Sequence, residues 1–334
     1  MTQFVSLSSG SNGNCYYIGN ETCGILIDAG IGTRTIKKRM SEVGLSVDRV
    51  RCVLVSHDHF DHIRSLGTFA ARFQKPVYAT APCIAAFRRH YCTRDFLDAS
   101  CCHPLVPGEW LRLDGKCFDS VEPSLFDAKE NRSCEKAADR RHYSHGNGIW
   151  VLPFSVPHDA TDTVGFFIDF FGETFTFLTD VGDVTDDAVR FAARARHLIV
   201  EANYDPEMLR TGGYPADLQR RIRGGHGHLA NAQTAELIRR ALDLNGADSG
   251  CVLSGDSGLD SGVNSCDCFD SNTSGDASVS PLQDVFLCHL SENNNTPELA
   301  LSTITDALRS HPRFAALRFT ALPRREASDL FVWE

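Results

Sequence analysis

The sequence has no apolar run long enough to cross a membrane, no C-x-x-C pair and no excess of basic charge. A membrane-spanning helix needs about 20 consecutive apolar residues. Residues 1–7 lack both the basic start and the apolar stretch of an export signal. The expectation is a cytoplasmic protein with no membrane partner. Thirteen cysteines would suit a disulfide framework in a small secreted domain, but the number is odd and the chain has 334 residues, so reduced thiols are expected. Cys101-Cys102 and Cys266-x-Cys268 are the tight spacings, and neither offers the paired geometry of a structural zinc or redox motif. The net charge of −10 argues against a broad basic face that coats nucleic acid. Arg210, Arg220, Arg221 and Arg223 cluster locally, and fit either an anion-binding mouth or a solvated helix face.

What is present is ordinary globular composition, 42% hydrophobic and 23% charged, read as one elaborated domain over residues 1–334. Apolar runs with strand character fall at residues 4–7, 15–18, 24–27, 53–55, 77–79, 150–155, 164–170, 174–178, 197–200 and 285–290. Helical patterns fall at 63–72, 188–195 and 234–244. Thr33 is expected to cap a helix running to about Val43, with Gly44 as its stop. Thr296-Pro297-Glu298 is a helix start, with a cap, a proline at the first position and an acid facing the dipole. Residues 249–280, rich in Ser, Gly, Asp and Asn, are expected to be a disordered insertion, and 123–147 is similarly polar.

The chemistry concentrates in Ser56-His57-Asp58-His59-Phe60-Asp61-His62, an H-x-H-x-D-H string directly after a buried strand. Imidazole and carboxylate donors suit zinc and neighbouring metals, and a tight loop gathers four of them without long-range assembly. A His-rich polar loop is the plain alternative. His158 and His289 follow expected strands; alone, either could be a hydrogen-bonded structural histidine.

The string resembles the defining motif of metallo-β-lactamase-fold hydrolases, and further matches follow in chain order: Asp28 in Leu26-Ile27-Asp28-Ala29-Gly30, His158 in Val156-Pro157-His158-Asp159, Asp180 in Leu178-Thr179-Asp180, and His289 in Phe286-Leu287-Cys288-His289. The resemblance covers nearly the whole chain. It implies an α/β, four-layer αββα fold and two divalent metal ions, Zn2+ or Mn2+. By the same resemblance His57, His59 and His158 hold one metal, Asp61, His62 and His289 hold the other, and Asp180 bridges them. Asp28 is expected to orient a ligand histidine rather than to ligate.

Four stretches, Ser8 to Cys15, Glu201 to Asp205, Gly227 to Asn231 and His289 to Pro297, are together similar to the bacterial YycJ/WalJ branch. That branch is associated with 5′-to-3′ exonuclease activity on DNA and lies near tRNase Z and a cyclic phosphodiesterase. The resemblance implies a phosphodiester hydrolase of nucleic acid, DNA before RNA, using a metal-bridging hydroxide. Asp61, Glu201 and His228 are the expected catalytic residues, with His228 protonating the leaving oxygen and Glu201 supporting it. A helix-entry capping role is the alternative for His228. Ser9, Ser11, Asn12 and Asn14 lie in a loop that either cradles a terminal phosphate through its backbone amides or is a plain hairpin turn. The departures are the 249–280 segment, the polar stretch before Trp150, and Tyr204 and Ala230 where His and Ser are expected. A small-molecule hydrolase acting on a cyclic phosphodiester, thioester or lactone would keep the same ligands, and a metal-stabilised regulator without catalysis is a third reading.

Overall fold

The computed structural model describes residues 1–98, 100–113, 148–247 and 282–334, the side chains of 245–247 aside. The expectations for 123–147 and 249–280 lie outside the described residues, and so does Cys266-x-Cys268. Among the described residues the cysteines are free thiols, and no helix is long and apolar enough to cross a membrane.

Six strands come from the first third of the chain: β1 (Thr2–Ser8), β2 (Cys15–Gly19), β3 (Gly24–Ile27), β4 (Val50–Leu54), β5 (Val77–Thr80) and β6 (Cys102–Leu105). The others are β7 (Leu111–Leu113), β8 (Ile149–Ser155), β9 (Val164–Phe170), β10 (Glu173–Leu178), β11 (His197–Glu201), β12 (Asp284–Cys288), β13 (Arg318–Ala321) and β14 (Phe331–Trp333). They form two seven-stranded sheets, ordered β14-β1-β2-β3-β4-β5-β6 and β13-β12-β11-β10-β9-β8-β7. Each sheet is antiparallel at one side and parallel at the other, the parallel runs being β3 to β6 and β10 to β13.

Alternation along the strands decides the layers, because successive side chains point to opposite faces. Phe4 of β1, Ile25 and Ile27 of β3, and Phe175 and Phe177 of β10 point into a core between the sheets. Val5, Leu7 and Leu26 point outward against helices Thr33–Glu42 and Leu66–Phe73. Leu178, Leu198 and Val200 pack outward against helices Asp186–Arg194, Asn231–Ala247 and Pro297–Leu308. Strands buried on both faces read as continuous apolar runs. The result is the expected αββα arrangement of four layers.

Local expectations are met in part. Thr296 caps Leu299 N with Pro297 as the first helical residue, as expected. Thr33 is inside its helix rather than capping it; the cap position is Gly32, and the Thr33 hydroxyl bonds Thr68 instead. The helix expected at 63–72 is broken into Phe60–Ile63 and Leu66–Phe73, because the Ser65 N–H donates to Ala29 O at 2.9 Å rather than continuing the helix. The strand expected to reach 290 ends at Cys288, since His289 turns away with φ 50°.

The two sheets bring several strand ends to one rim: Asp28 follows β3, His57 follows β4, Asp180 follows β10, Glu201 ends β11 and His289 follows β12. Ligands of open α/β sheets bind outside the carboxyl ends of strands.

Candidate metal centre

After β4 the chain passes through Ser56 to His59 without regular secondary structure, His59 being extended, and Phe60–Ile63 makes one helical turn that carries Asp61 and His62. Two close approaches fix this loop. Asn14 N donates to Asp61 O at 2.7 Å, and Gly30 N donates to Asn14 O at 2.8 Å. Gly30 is required there, because a Cβ would collide with the Asp61 carbonyl oxygen.

The loop's histidines meet side chains from the other sheet. His158 Nε2 lies 3.2 Å from His59 Nδ1. Asp180 stands in the middle, with Oδ2 3.0 Å from His62 Nε2 and Oδ1 3.6 Å from His158 Nε2 and 3.4 Å from His289 Nδ1. Asp61 Oδ2 lies 3.6 Å from His62 Nε2 and 3.4 Å from His289 Nε2. Donor atoms of His57, His59 and His158 fall within 4.8 Å of one another, as do those of Asp61, His62 and His289, and of His57, His62 and Asp180. The first two sets contain the residues that the resemblance assigns to separate metals, and a further set brings Asp180 and His289 together with Glu201 and His228.

The donor set fits a divalent cation. His57 Nε2 is buried without a hydrogen-bond partner. Asp180 Oδ2 and His289 Nε2 also lack a well-formed hydrogen bond, although each lies at ion-pair distance from a neighbour. Orphaned buried polar atoms are costly and call for a missing partner. The opposite ring nitrogens are occupied: His57 Nδ1 meets Ser56 Oγ at 3.0 Å, His62 Nδ1 meets Asp28 Oδ2 at 2.7 Å, and His158 Nδ1 meets Gly227 O at 2.8 Å. Such contacts fix the ring orientation and leave the other nitrogen facing the centre.

Electrostatics agree with the donor set. Burial first, then His62, holds the His57 imidazole well below its usual range, leaving it neutral. Burial opposes charge on His62 and His289 too, but carboxylates outweigh it: Asp180, Asp28 and Asp61 raise His62 well above its ordinary value, and Asp180, Asp61 and Glu201 raise His289 to about 10. Burial likewise disfavours charge on Asp180, yet His289 and His62 hold it well below the ordinary carboxylate range. The cluster therefore gathers positive charge around its carboxylates, the demand a bound cation meets by displacing protons.

Asp28 sits behind the centre. Its backbone has φ 59°, its carboxylate accepts from Ser56 N and Ser56 Oγ at 2.9 and 2.8 Å, and it holds His62 from the far side. Glu201 Oε1 accepts Val181 N and Leu229 N, while Oε2 lies 3.0 Å from His228 Nδ1. His228 Nδ1 is also 3.7 Å from Asp180 Oδ1. Burial opposes the imidazolium, but Glu201 and then Asp180 raise the His228 pKa. The His228 ring engages carboxylates.

The 9–14 loop is largely engaged with the protein. Ser9 Oγ meets Tyr16 Oη and His289 N, both at 2.9 Å. Asn14 Nδ2 lies 3.2 Å from Asp61 Oδ2 and 2.9 Å from His62 Nε2. The amides of Gly10, Gly13 and Asn14 go to Asn14 Oδ1, Gly10 O and Asp61 O. Ser11 and Asn12 are exposed, with Asn12 Nδ2 donating to Glu292. The hairpin-turn reading describes this loop, and Ser9 and Asn14 support the centre rather than face outward.

Sequence reasoning missed Ser56, Tyr16 and Asn203, which donates to His289 O at 2.9 Å. It also missed Asp159, whose Oδ1 lies 3.5 Å from His59 Nε2 and 3.6 Å from His158 Nε2. Adjacency to His158 was the available signal for Asp159.

A β-lactamase superfamily domain model matches residues 24–243. The chain is similar to the exodeoxyribonuclease YycJ of Bacillus anthracis, 25% identical over 306 residues, covering 91% of this chain and 88% of that protein. It is similar to the exodeoxyribonuclease WalJ of Streptococcus pneumoniae serotype 2 (strain D39 / NCTC 7466), 26% identical over 236 residues, covering 71% and 75%. Its fold matches that of the metallo-β-lactamase fold protein YhfI from Bacillus subtilis, with a TM-score of 0.57 at 13% identity over 98% of this chain and 99% of that one.

Proposed function

The chain belongs to the β-lactamase superfamily, and from that membership we propose that it is a dinuclear metal-dependent phosphodiester hydrolase acting as a 5′-to-3′ exonuclease on DNA. Residues 1–334 are read as one hydrolase unit, with 249–280 inserted in it. His57, His59 and His158 would hold one metal ion and Asp61, His62 and His289 the second, with Asp180 between them; Zn2+ and Mn2+ both suit these donors. When bound, the pair supplies Lewis acidity and a nucleophile from water at neutral pH.

The contact of His228 with Glu201, beside Asp180, carries the choice of phosphodiester chemistry. A sugar alkoxide is a poor leaving group and needs a proton, whereas a thiolate leaves without one. Glu201 takes the Nδ1 edge and stabilises the imidazolium, so that Nε2 delivers the proton to the departing oxygen. Val181 N and Leu229 N fix the other Glu201 oxygen, which keeps the carboxylate from rotating. Asp28, through His62 and Ser56, keeps the ligand rings in register. The similarity to two exodeoxyribonucleases, at 25% and 26% identity, supports DNA as the substrate.

The test is a panel: metal-loaded protein with 5′-labelled DNA, RNA of the same sequence, bis-p-nitrophenyl phosphate, a thioester and a lactone. Mononucleotide release from the 5′ end of DNA is the expected result. Turnover of thioester or lactone with no diester cleavage would favour the small-molecule reading instead.

A further inference from the structure

Helix Ala216–Arg223 has no fully buried residue, yet its end is tied to the metal centre. His228 N donates to Ile222 O at 3.0 Å, Gly227 N donates to Gly224 O at 2.8 Å, and Gly227 O meets His158 Nδ1 at 2.8 Å. The segment from Gly224 to His228 thus anchors the last turn of the helix against two histidines of the site.

The arginines of this region behave differently from one another. Arg210 pairs with Glu207 and Arg220 with Asp217, each three residues away on its own helix. Arg223 Nε donates to Gln219 O at 3.4 Å. Arg221 instead crosses 62 residues of sequence to donate from Nε to Asp159 Oδ2. The other oxygen of Asp159 faces His59 and His158. The Arg221 guanidinium is therefore one carboxylate removed from the candidate metal ligands, while its side chain is 63% exposed.

We propose that Arg221 binds a phosphate of the nucleic-acid strand next to the scissile one, and that Asp159 is the positioning residue holding the guanidinium at the mouth. The assignment rests on the phosphodiester reading above. An exposed ion pair contributes at most about 1 kcal/mol to stability, so Asp159–Arg221 has little value as a fold support. Guanidinium carries five donors in a fixed fork, and the Nε contact uses one, leaving the terminal nitrogens to meet phosphate oxygens. A substrate with a single phosphate has no partner for this group.

The experiment compares wild type, Arg221→Ala, Arg221→Lys and Arg309→Ala, the last a remote loss of equal charge. Binding of a 5′-phosphorylated single-stranded DNA of about 12 nucleotides is followed by fluorescence anisotropy across salt concentrations, and KM and kcat are measured on the same DNA and on bis-p-nitrophenyl phosphate. For Arg221→Ala the salt slope of log K should flatten by about 0.7, the share of one single-strand phosphate contact. Its KM on DNA should rise roughly tenfold with kcat held within about twofold, and kcat/KM on bis-p-nitrophenyl phosphate should stay within about twofold. Arg221→Lys should restore the slope, and Arg309→Ala should match wild type. An unchanged slope and KM in Arg221→Ala, or equal losses on both substrates, overturns the assignment while leaving the phosphodiester reading standing. A wild type that cleaves neither substrate overturns both.

Discussion

The backbone N–H of His289 donates to Ser9 Oγ at 2.9 Å across 280 residues of sequence, joining the end of β12 in one sheet to the loop after β1 in the other. Ser9 bonds Tyr16 Oη, Tyr16 donates to Asn14 Oδ1, and Asn14 Nδ2 reaches Asp61. Burial pushes the Tyr16 hydroxyl well above its ordinary range, so it stays a donor. A buried chain of hydrogen bonds thus links His289 to Asp61, two donors of the same candidate site.

Ser9→Ala leaves a buried amide without its acceptor, which costs about 1–3 kcal/mol. Urea unfolding should show that loss, and metal titration should show weaker binding at the site of Asp61, His62 and His289 by roughly 10- to 100-fold. Unchanged unfolding and unchanged titration would remove Ser9 from the support of His289.

Gly30→Ala places a methyl against the Asp61 carbonyl oxygen. The loop has to move, at a cost of about 1–3 kcal/mol. Metal content after dialysis should fall below that of wild type, together with the melting temperature. A variant with wild-type metal content and melting temperature would mean that the loop yields without disturbing the donors.

The parts of the site that the sequence made legible are those that a short segment or a strand end carries. His57, His59, Asp61 and His62 occupy one contiguous string that pattern alone indicates, whereas Asp28, Asp180, His158 and His289 follow apolar strands and are singled out by the family resemblance. Ser9, Tyr16 and Asn203 carry no pattern, because their roles arise only when the two sheets close over the rim. The break at Ser65 was hidden for a similar reason: helical periodicity runs through it, and the acceptor that interrupts the helix, Ala29 O, comes from a distant loop. The layers were legible through two-residue alternation, but β14 was not, since a three-residue strand pairing with β1 from the far end of the chain has no signature of its own.

At the opposite ends of β10, β11 and β12, His197 lies buried between Glu173 and Asp284, at 3.0 and 2.8 Å. Arg318 and Trp333 also donate to Asp284. Burial works against its charge, but the His197 and Arg318 hydrogen bonds lower the Asp284 pKa to about 2. A depressed carboxylate pKa contributes stability that is present above the unfolded value near 3.9 and is lost as pH falls through about 2. Asp284→Asn should therefore be less stable than wild type at pH 7 by about 1–2 kcal/mol, allowing for solvent screening. The gap should close between about pH 5 and pH 2, with metal content unaffected. A pH-independent gap in urea unfolding would contradict the ionic origin.

Asp180 touches donors of both groups, whereas His59 belongs to one. Elemental analysis should find close to two divalent ions per wild-type chain. Asp180→Ala should lose both, and His59→Ala should lose the ion held with His57 and His158. Full occupancy in both variants would contradict the ligand assignment.

The most direct test of phosphodiester chemistry is the leaving-group dependence of His228→Ala. The variant should keep its metal ions and lose about 10²- to 10⁴-fold in kcat on DNA, the share of a positioned general acid. On bis-p-nitrophenyl phosphate, whose leaving phenolate departs without a proton, it should be far less impaired. Glu201→Gln should show a milder form of the same pattern, since it keeps the hydrogen-bond geometry and loses the charge that supports the imidazolium. An equal fall on both substrates, or loss of metal from His228→Ala, would contradict the account and return His228 to coordination or structure.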